Sequence, residues 1–266
     1  MTGHSGARGR KAKPGRITFV GSGPGDPGLL TTRARTVLAN AALVFTDPDV
    51  PEAVLKLVGT DLPPAAGPAP APNSAASDGD VSEQSVVTVG ADIRPALGEP
   101  AEVAKILVAE AKAGADVVRL VAGDPLSVDA VTAEINTVTR SHLTFEIVPG
   151  LPATVAVPSY AGLPLGSTHT VADVRGEVDW SALAAAPGPL ILTATASHLP
   201  EAARALIEHG LAEGTPCVVT AQGTTCSQRS LESTLGGLTD RNALGAADPA
   251  GGISMSTASR AITSTG

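Results

Sequence analysis

The sequence predicts an α/β protein made of two α/β domains built on parallel strands. Short apolar runs that end in glycine alternate with segments of helical spacing, which is the pattern of β-α-β units. The chain has 266 residues, enough for one large or two modest domains. Hydrophobic residues make up 43% of the chain and aromatic residues only 2%, so the core must be mainly aliphatic.

The N-terminal domain is predicted at residues 16–162, after a basic, glycine-rich tail at 1–15 that is expected to be disordered. Within it, residues 62–85 are rich in Pro, Ala, Ser and Gly and offer too little apolar surface to fold. This stretch is therefore expected to be a flexible insertion. The remaining pattern predicts strands at 17–20, 42–45, 117–121 and 145–148, and helices near 29–38, 102–113 and 131–138 and up to Tyr160.

The second domain is predicted at residues 163–244. Its markers are a strand at 190–193, a helix at 200–209 with proline in its first turn and glycine after its end, and a strand at 217–220. No convincing strand follows Leu244, where Ala, Gly, Ser and Thr predominate. We therefore expect this domain to lack its last strand and residues 245–266 to be a disordered tail.

The composition disfavours several classes of function. A net charge of −8 and the scarcity of aromatic residues argue against a nucleic-acid partner. No apolar run approaches the roughly 20 residues of a membrane helix, and no signal peptide is evident. The two cysteines, Cys217 and Cys226, form no CxxC pair, so neither a disulfide framework nor a metal site is expected. These features predict a cytoplasmic protein.

A glycine-rich loop at residues 21–28, GSGPGDPG, lies between the first strand and the first helix. Glycine lets a ligand approach the backbone amides without meeting a Cβ, and the helix dipole points at the same place. The loop formally fits GxGxxG, with Asp47 near the position of a ribose-binding acid, so a nicotinamide dehydrogenase stays an alternative. Two prolines without amide donors and the repulsive Asp26 argue against that alternative, and no P-loop lysine follows.

Small-residue loops follow three more predicted strands, at 123–124, 149–150 and 220–223. The carboxyl ends of parallel strands form the crevice in which open α/β sheets bind ligands. One such loop is commonly just a turn, and glycine used only as turn chemistry stays an alternative. Several loops in series favour a ligand site, and the shortage of cations in them favours an adenosine ligand over a polyphosphate.

Several motifs, in order, resemble those of the tetrapyrrole methylases, and most of all the uroporphyrinogen-III C-methyltransferases. ITFVGSGPGDPGLL at 17–30 is similar to the family's opening, and VVRLVAGDP at 117–125 to its second motif. FEIVPG, VPSYAGLPL at 157–165 and GTTCSQRS at 223–230 continue the match. The chain also resembles the N-terminal half of actinobacterial fusions with uroporphyrinogen-III synthase, so a synthase is a possible partner.

The resemblance implies two α/β domains with S-adenosylmethionine bound in the cleft between them, in a homodimer. It also implies methylation of carbons 2 and 7 of uroporphyrinogen III to precorrin-2, a precursor of sirohaem and cobalamin. Asp47 corresponds to the family's catalytic, proton-accepting aspartate, although a simple turn acid before Pro48 is an alternative. The cofactor contacts that the resemblance implies, most of them through the backbone, are Pro24, Ala122, Gly123, Asp124, Ser127, Pro152, Ala153, Ala194 and Gly223.

The sequence departs from the family pattern mainly where the carboxylate-rich tetrapyrrole would bind. The family's lysine falls within the insertion, no Lys or Arg occurs between Lys56 and Arg94, and Ala130 replaces an arginine. These losses keep a second hypothesis open: a degenerate methylase-like module that binds cofactor, or supports a synthase partner, without turnover. The cations that remain as candidates for the substrate are Arg33, Arg35, Arg119 and His169.

Overall fold

A computed structural model describes residues 13–60 and 90–240 and the backbone of residues 253–257. The chain divides into two compact units. The first contains the described residues up to Ser22 and those from Leu30 to Gly150; the second contains Gly23–Leu29 and the described residues from Leu151 onward. The division falls after Gly150 rather than near Leu163, and it assigns residues 23–28 of the glycine-rich loop to the second unit.

The first unit is a five-stranded parallel sheet with helices on both faces. Its strands follow the order β3-β2-β4-β1-β5, and every neighbouring pair is parallel. All five strands therefore end at the same edge. The elements are β1 Ile17–Gly21, α1 Thr32–Ala39, β2 Leu43–Thr46, α2 Glu52–Leu55, β3 Asp92–Pro95, α3 Pro100–Ala113, β4 Val117–Val121, α4 Asp129–Thr139 and β5 Phe145–Val148.

Alternating side chains of the central strands enter two different cores. Val117 and Val121 of β4 pack with α3 and α4, while Val118 and Leu120 pack with α1 and α2. A strand buried on both faces needs a nearly continuous apolar run, which is why the sequence predicts β1 and β4 so clearly. The exception inside β4 is Arg119, which is only 3% exposed.

Local signals set the ends of two helices of the first unit. Thr31 caps α1 by accepting a hydrogen bond from the amide of Ala34 at 3.1 Å. Pro100 begins α3, and Gly114 ends it in the left-handed conformation at φ +106°.

The second unit contains a mixed five-stranded sheet in the order β6-β7-β10-β8-β9. β6 and β7 are parallel, and the other three pairs are antiparallel. Its main core lies between this sheet and the helices α6 and α7. The elements are α5 Ala153–Tyr160, β6 Thr170–Asp173, α6 Trp180–Ala184, β7 Leu190–Ala194, α7 Leu199–Glu208, β8 Pro216–Ala221, β9 Arg229–Thr234 and β10 Ile253–Thr257.

The prediction that no strand follows Leu244 was wrong, because β10 lies between β7 and β8 and pairs with both. This end of the sequence consists mainly of Ala, Gly, Ser and Thr. The alternation of apolar and polar residues in its five-residue segment ISMST is therefore too short to predict a strand. Two neighbouring strands supply backbone partners for it. Tertiary pairing thus outweighs a poor local signal.

Two other segments, the insertion and the N-terminal tail, were also expected to be disordered. The insertion at 62–85 and residues 1–12 of the basic tail lie outside the described residues. Gly15, inside the expected tail, belongs to the fold, because its amide donates to the carbonyl of Ala111 at 2.8 Å. Among the helices that the structure describes, none combines the length and the apolarity required to cross a bilayer.

Candidate functional site

Three glycines meet backbone to backbone at the carboxyl edge of the parallel sheet. Gly21 ends β1, and Gly123 and Gly150 follow β4 and β5. A Cβ on Gly21 would lie 2.5 Å from both the Gly123 carbonyl oxygen and the Gly150 amide nitrogen, well inside contact distance. Glycine at these positions therefore lets the ends of three strands approach one another.

Gly123 itself leaves main chain uncovered. Its φ is +73°, and apart from Gly123 and its two chain neighbours no atom of the described residues lies within 4 Å of the place where its Cβ would be. Ala122, immediately before it, is also small and half-buried. A ligand could reach the peptide groups here without meeting a side chain.

Asp124 ties the loops after β4 and β5 together. Its carboxylate accepts hydrogen bonds from the amides of Leu126 and Gly150, both at 3.1 Å, and from the hydroxyl of Ser127 at 3.3 Å. The structure thus brings the predicted residues Asp124 and Ser127 together. It also gives Asp124 a structural role, since the carboxylate fixes the shape of the loop that carries Gly123.

Asp47 lies directly after β2, beside the same loop. Its amide donates to the carbonyl of Leu120 at 3.1 Å, and its Oδ2 atom accepts from the amide of Ala122 at 3.3 Å. Its Oδ1 atom lies 2.6 Å from Nη2 of Arg119. The side chain keeps 21% of its surface exposed, so the carboxylate remains accessible at the sheet edge.

Arg119 was a wrong candidate for binding the substrate, because carboxylates of the chain itself already engage it. Nε and Nη2 donate to the two carboxylate oxygens of Glu134 at 2.8 and 2.9 Å, and Nη1 donates to the carbonyl of Leu120 at 3.1 Å. Burial opposes the charge of Arg119, but Glu134 and Asp47 outweigh it and raise the pKa of the guanidinium above its usual value. The sequence analysis missed Glu134. The signal for it was a single arginine inside the apolar run VVRLV, which requires a buried acid.

In the second unit, Asp26 shapes the loop that follows Pro24. Its carboxylate accepts from the amide of Gly28 at 2.7 Å and from the hydroxyl of Tyr160 at 3.2 Å. Its own amide donates to the hydroxyl of Thr224 at 3.3 Å. The carboxylate that seemed positioned to repel an anion is therefore engaged within the unit.

The remaining predicted contacts of the second unit lie at the ends of its elements. Pro152 precedes α5 as its cap, and Ala153 is the exposed first residue of that helix. Ala194 ends β7 and is only 1% exposed as a whole residue, so its contact with a cofactor stays a prediction. A Cβ on Gly223 would lie 2.5 Å from a methyl group of Val157, so packing against α5 by itself requires glycine there.

Three other cations were candidates for the substrate. Arg33 donates to Glu146 at 2.7 Å but keeps 59% of its side chain exposed. Arg35 is half-buried on α1. The Nδ1 atom of His169 is buried and has no hydrogen-bond partner among the described residues. Of these side chains, Arg33 is the one that the structure places at the surface.

Comparison with known proteins gives one family. The model of the tetrapyrrole (corrin/porphyrin) methylases matches residues 16–239. An S-adenosyl-L-methionine-dependent uroporphyrinogen III methyltransferase of Methanosarcina barkeri is 31% identical over 83% of each chain. A siroheme synthase of Nitrosomonas europaea is 33% identical over 85% of this chain, which spans only 45% of that protein.

Among solved structures, the uroporphyrin-III C-methyltransferase of Thermus thermophilus, complexed with S-adenosylhomocysteine, superposes with a TM-score of 0.71. The superposition covers 91% of this chain and 97% of that one at 23% identity, which supports a common fold. The motifs, the fold and the family match agree. The chain belongs to the tetrapyrrole (corrin/porphyrin) methylases.

Proposed function

We propose that this chain is an S-adenosylmethionine-dependent methyltransferase that converts uroporphyrinogen III to precorrin-2. The observation that carries the proposal is the 31% identity with the Methanosarcina barkeri methyltransferase over 83% of both chains. The siroheme synthases among the relatives favour the sirohaem branch. Because the chain spans about half the length of those proteins, none of their further activities is included in the proposal.

The residues fit an adenosine cofactor within each unit taken by itself. In the first unit, the uncovered main chain at Gly123 and the small neighbour Ala122 leave room for a ligand against the backbone. In the second unit, internal hydrogen bonds hold the shape of the loop after Pro24. The proposed contacts are Ala122, Gly123, Asp124 and Ser127 in the first unit, and Pro24, Pro152, Ala153, Ala194 and Gly223 in the second.

For methyl transfer, the protein mainly has to position the reacting groups and accept a proton. When bound, S-adenosylmethionine supplies a methyl group already activated by a positively charged sulfur. The chain must hold the reacting groups in line and exclude water. Addition of the methyl cation to the ring is balanced by the loss of a proton elsewhere on the substrate, with S-adenosylhomocysteine as the leaving group. Asp47, whose side chain is only partly buried, is proposed to accept that proton.

A second candidate function is a methylase-like module that binds the cofactor without turnover. The engagement of Arg119 by Glu134 and Asp47 favours it, because this removes one of the few cations left for a carboxylate-rich substrate. Ala130, which stands where the family has an arginine, points the same way. The two candidates agree on cofactor binding and differ on methyl transfer.

An anaerobic assay with uroporphyrinogen III and methyl-labelled S-adenosylmethionine separates them. We expect label in the tetrapyrrole, and we expect Asp47→Asn to transfer label at least about a hundredfold more slowly, as for loss of a general base. The exposed Asp49→Asn variant is the matched control and should leave the rate unchanged. Binding of S-adenosylhomocysteine with no labelled product would favour the module without turnover, and no binding at all would refute both candidates.

Four further statements accompany the proposal. A cytoplasmic location is proposed on the composition of the sequence, whereas a homodimer and a contribution to cobalamin as well as sirohaem are proposed on the resemblance alone. A uroporphyrinogen-III synthase partner is proposed on the same basis. Analytical ultracentrifugation of the purified chain tests the dimer, and titration with a synthase in the same experiment tests the partner.

A further inference from the structure

Arg119 sits between two carboxylates that differ in their surroundings. Glu134 is as buried as Arg119, at 3% exposure each, whereas Asp47 keeps 21% of its side chain exposed. The guanidinium therefore joins a carboxylate inside the core, on α4, to a carboxylate at the accessible edge of the sheet.

Glu134 fixes the orientation of the guanidinium. It accepts from both Nε and Nη2, a two-point contact that leaves the planar group one orientation. Nη1 is directed at the carbonyl of Leu120, within the same strand as Arg119. Nη2 then reaches Oδ1 of Asp47, so the side chain of Asp47 is held by a group that itself cannot turn.

The cluster of Arg119, Glu134 and Asp47 contains one positive and two negative charges. Glu134 neutralises the buried guanidinium, as a buried ion pair requires. Asp47 is then the excess negative charge of the three, and it is the member that reaches solvent. Its second oxygen accepts from the amide of Ala122, so a fixed Asp47 carboxylate also defines the start of the 122–124 loop.

We infer that Arg119, held by Glu134, is a positioning residue that orients the Asp47 carboxylate toward the accessible edge of the sheet. The inference rests on the proposed function, in which Asp47 accepts the proton. A buried ion cluster that only stabilises the fold is the competing explanation. That explanation predicts a loss of stability without a specific effect on Asp47.

Replacement of the buried pair as a unit gives the test. The double variant Arg119→Met/Glu134→Leu removes the guanidinium without leaving an unpaired buried charge, so it is expected to fold. Arg94→Met is the matched control, because Arg94 also contacts two carboxylates, Asp92 and Glu110, in the first unit. We expect the double variant to lower kcat by about tenfold or more through mispositioning of Asp47. Affinity for S-adenosylhomocysteine should stay within about threefold, and the control should change neither quantity.

The dependence on Asp47 is the decisive part. In an Asp47→Asn background, removal of the pair should lower kcat by less than about threefold further, since Arg119 acts through a carboxylate that is already gone. Equal losses in both backgrounds would overturn the inference. The inference would also be overturned if the double variant were less stable than the native protein but had the same kcat per folded molecule.

A readout that needs no turnover separates this inference from the proposed function. Amide hydrogen exchange of Ala122 should become about tenfold faster in the double variant, because its acceptor on Asp47 is no longer fixed. Exchange of Ser22, whose amide donates to the carbonyl of Val121, should be unchanged. Unchanged exchange at Ala122 would overturn the positioning role even in an active enzyme. Faster exchange in a chain without methyl transfer would refute only the proposed function.

Discussion

Gly150 packs so closely against Gly123 that the carbonyl oxygen of Gly123 occupies the place where a side chain on Gly150 would begin. The two residues follow β5 and β4, the strands on either side of β1 in the parallel sheet. Asp124, next to Gly123, also accepts a hydrogen bond from the amide of Gly150. The loop proposed to contact the cofactor is therefore supported from one side by bare backbone.

Gly150→Ala is expected to destabilise the protein. The methyl group would overlap backbone atoms rather than a flexible side chain, so the two loops must separate, at a cost of about 1–3 kcal/mol. Urea denaturation measures the free energy of unfolding. The control is Gly214→Ala, where the described residues leave open space around the new methyl group and the change should stay within about 0.5 kcal/mol. Equal stability of the two variants would show that the contact relaxes without cost.

Gly123→Val is expected to abolish or strongly weaken cofactor binding. The residue faces open space, so a branched Cβ would occupy the volume proposed for the ligand. Its φ of +73° adds strain of about 1–2 kcal/mol, which must be separated from the effect on binding. Gly210→Val carries the same kind of strain, at φ +108° and in open space after α7. Calorimetry with S-adenosylhomocysteine should show a loss of affinity for Gly123→Val alone; equal affinities would contradict the contact.

Tyr160 is expected to ionise at higher pH than free tyrosine. Burial raises the pKa of its phenol, and the charge and hydrogen bond of Asp26 raise it further. Since the folded-state pKa is the higher one, this contribution to stability is complete below the unfolded pKa of about 10. It is lost as the pH rises through the folded value.

Ultraviolet titration can follow this group directly, because Tyr160 is the only tyrosine of the chain. Asp26→Asn removes the nearby charge and should move the pKa part of the way back, leaving the effect of burial. An Asp26→Asn variant that titrates like the native protein would show that Asp26 does not act on the phenol.

The two cysteines are expected to differ sharply in reactivity. Burial raises the pKa of the Cys217 thiol to about 12, whereas Cys226 is exposed. Because the thiolate is the reactive form, a thiol reagent at about pH 8 should label one cysteine quickly in the folded protein and both in denaturant. Cys226→Ser should remove the fast reaction. Rapid labelling of Cys217 in the native state would mean that the core of the second unit opens readily.

The elements that the sequence predicts correctly are those with a strong local signal. β1 and β4 are apolar runs buried on both faces, and α3 carries both proline at its start and glycine at its end. Three of the four missed strands, β3, β6 and β9, lie at the edges of their sheets and consist largely of exposed residues. An edge strand has one backbone partner and little buried surface, so its sequence need not alternate clearly.

The candidate site was predictable to a similar degree. Ala122, Gly123, Asp124 and Asp47 come together because parallel strands end at one edge, a consequence of the β-α-β pattern alone. The partners of the charged residues were not predictable. Arg119 looked available for a substrate until the structure placed Glu134 and Asp47 around it.

Short segments of sequence were enough to identify the family, the order of the motifs and the small residues at the ends of strands. Three features emerge only in the folded chain: which charges neutralise one another, why Gly150 and Gly223 lack a side chain, and where β10 enters its sheet. Those features depend on neighbours that are distant in the chain. One segment shows that a buried charge such as Arg119 needs a partner of opposite charge. Which residue is that partner depends on how distant segments pack in the fold.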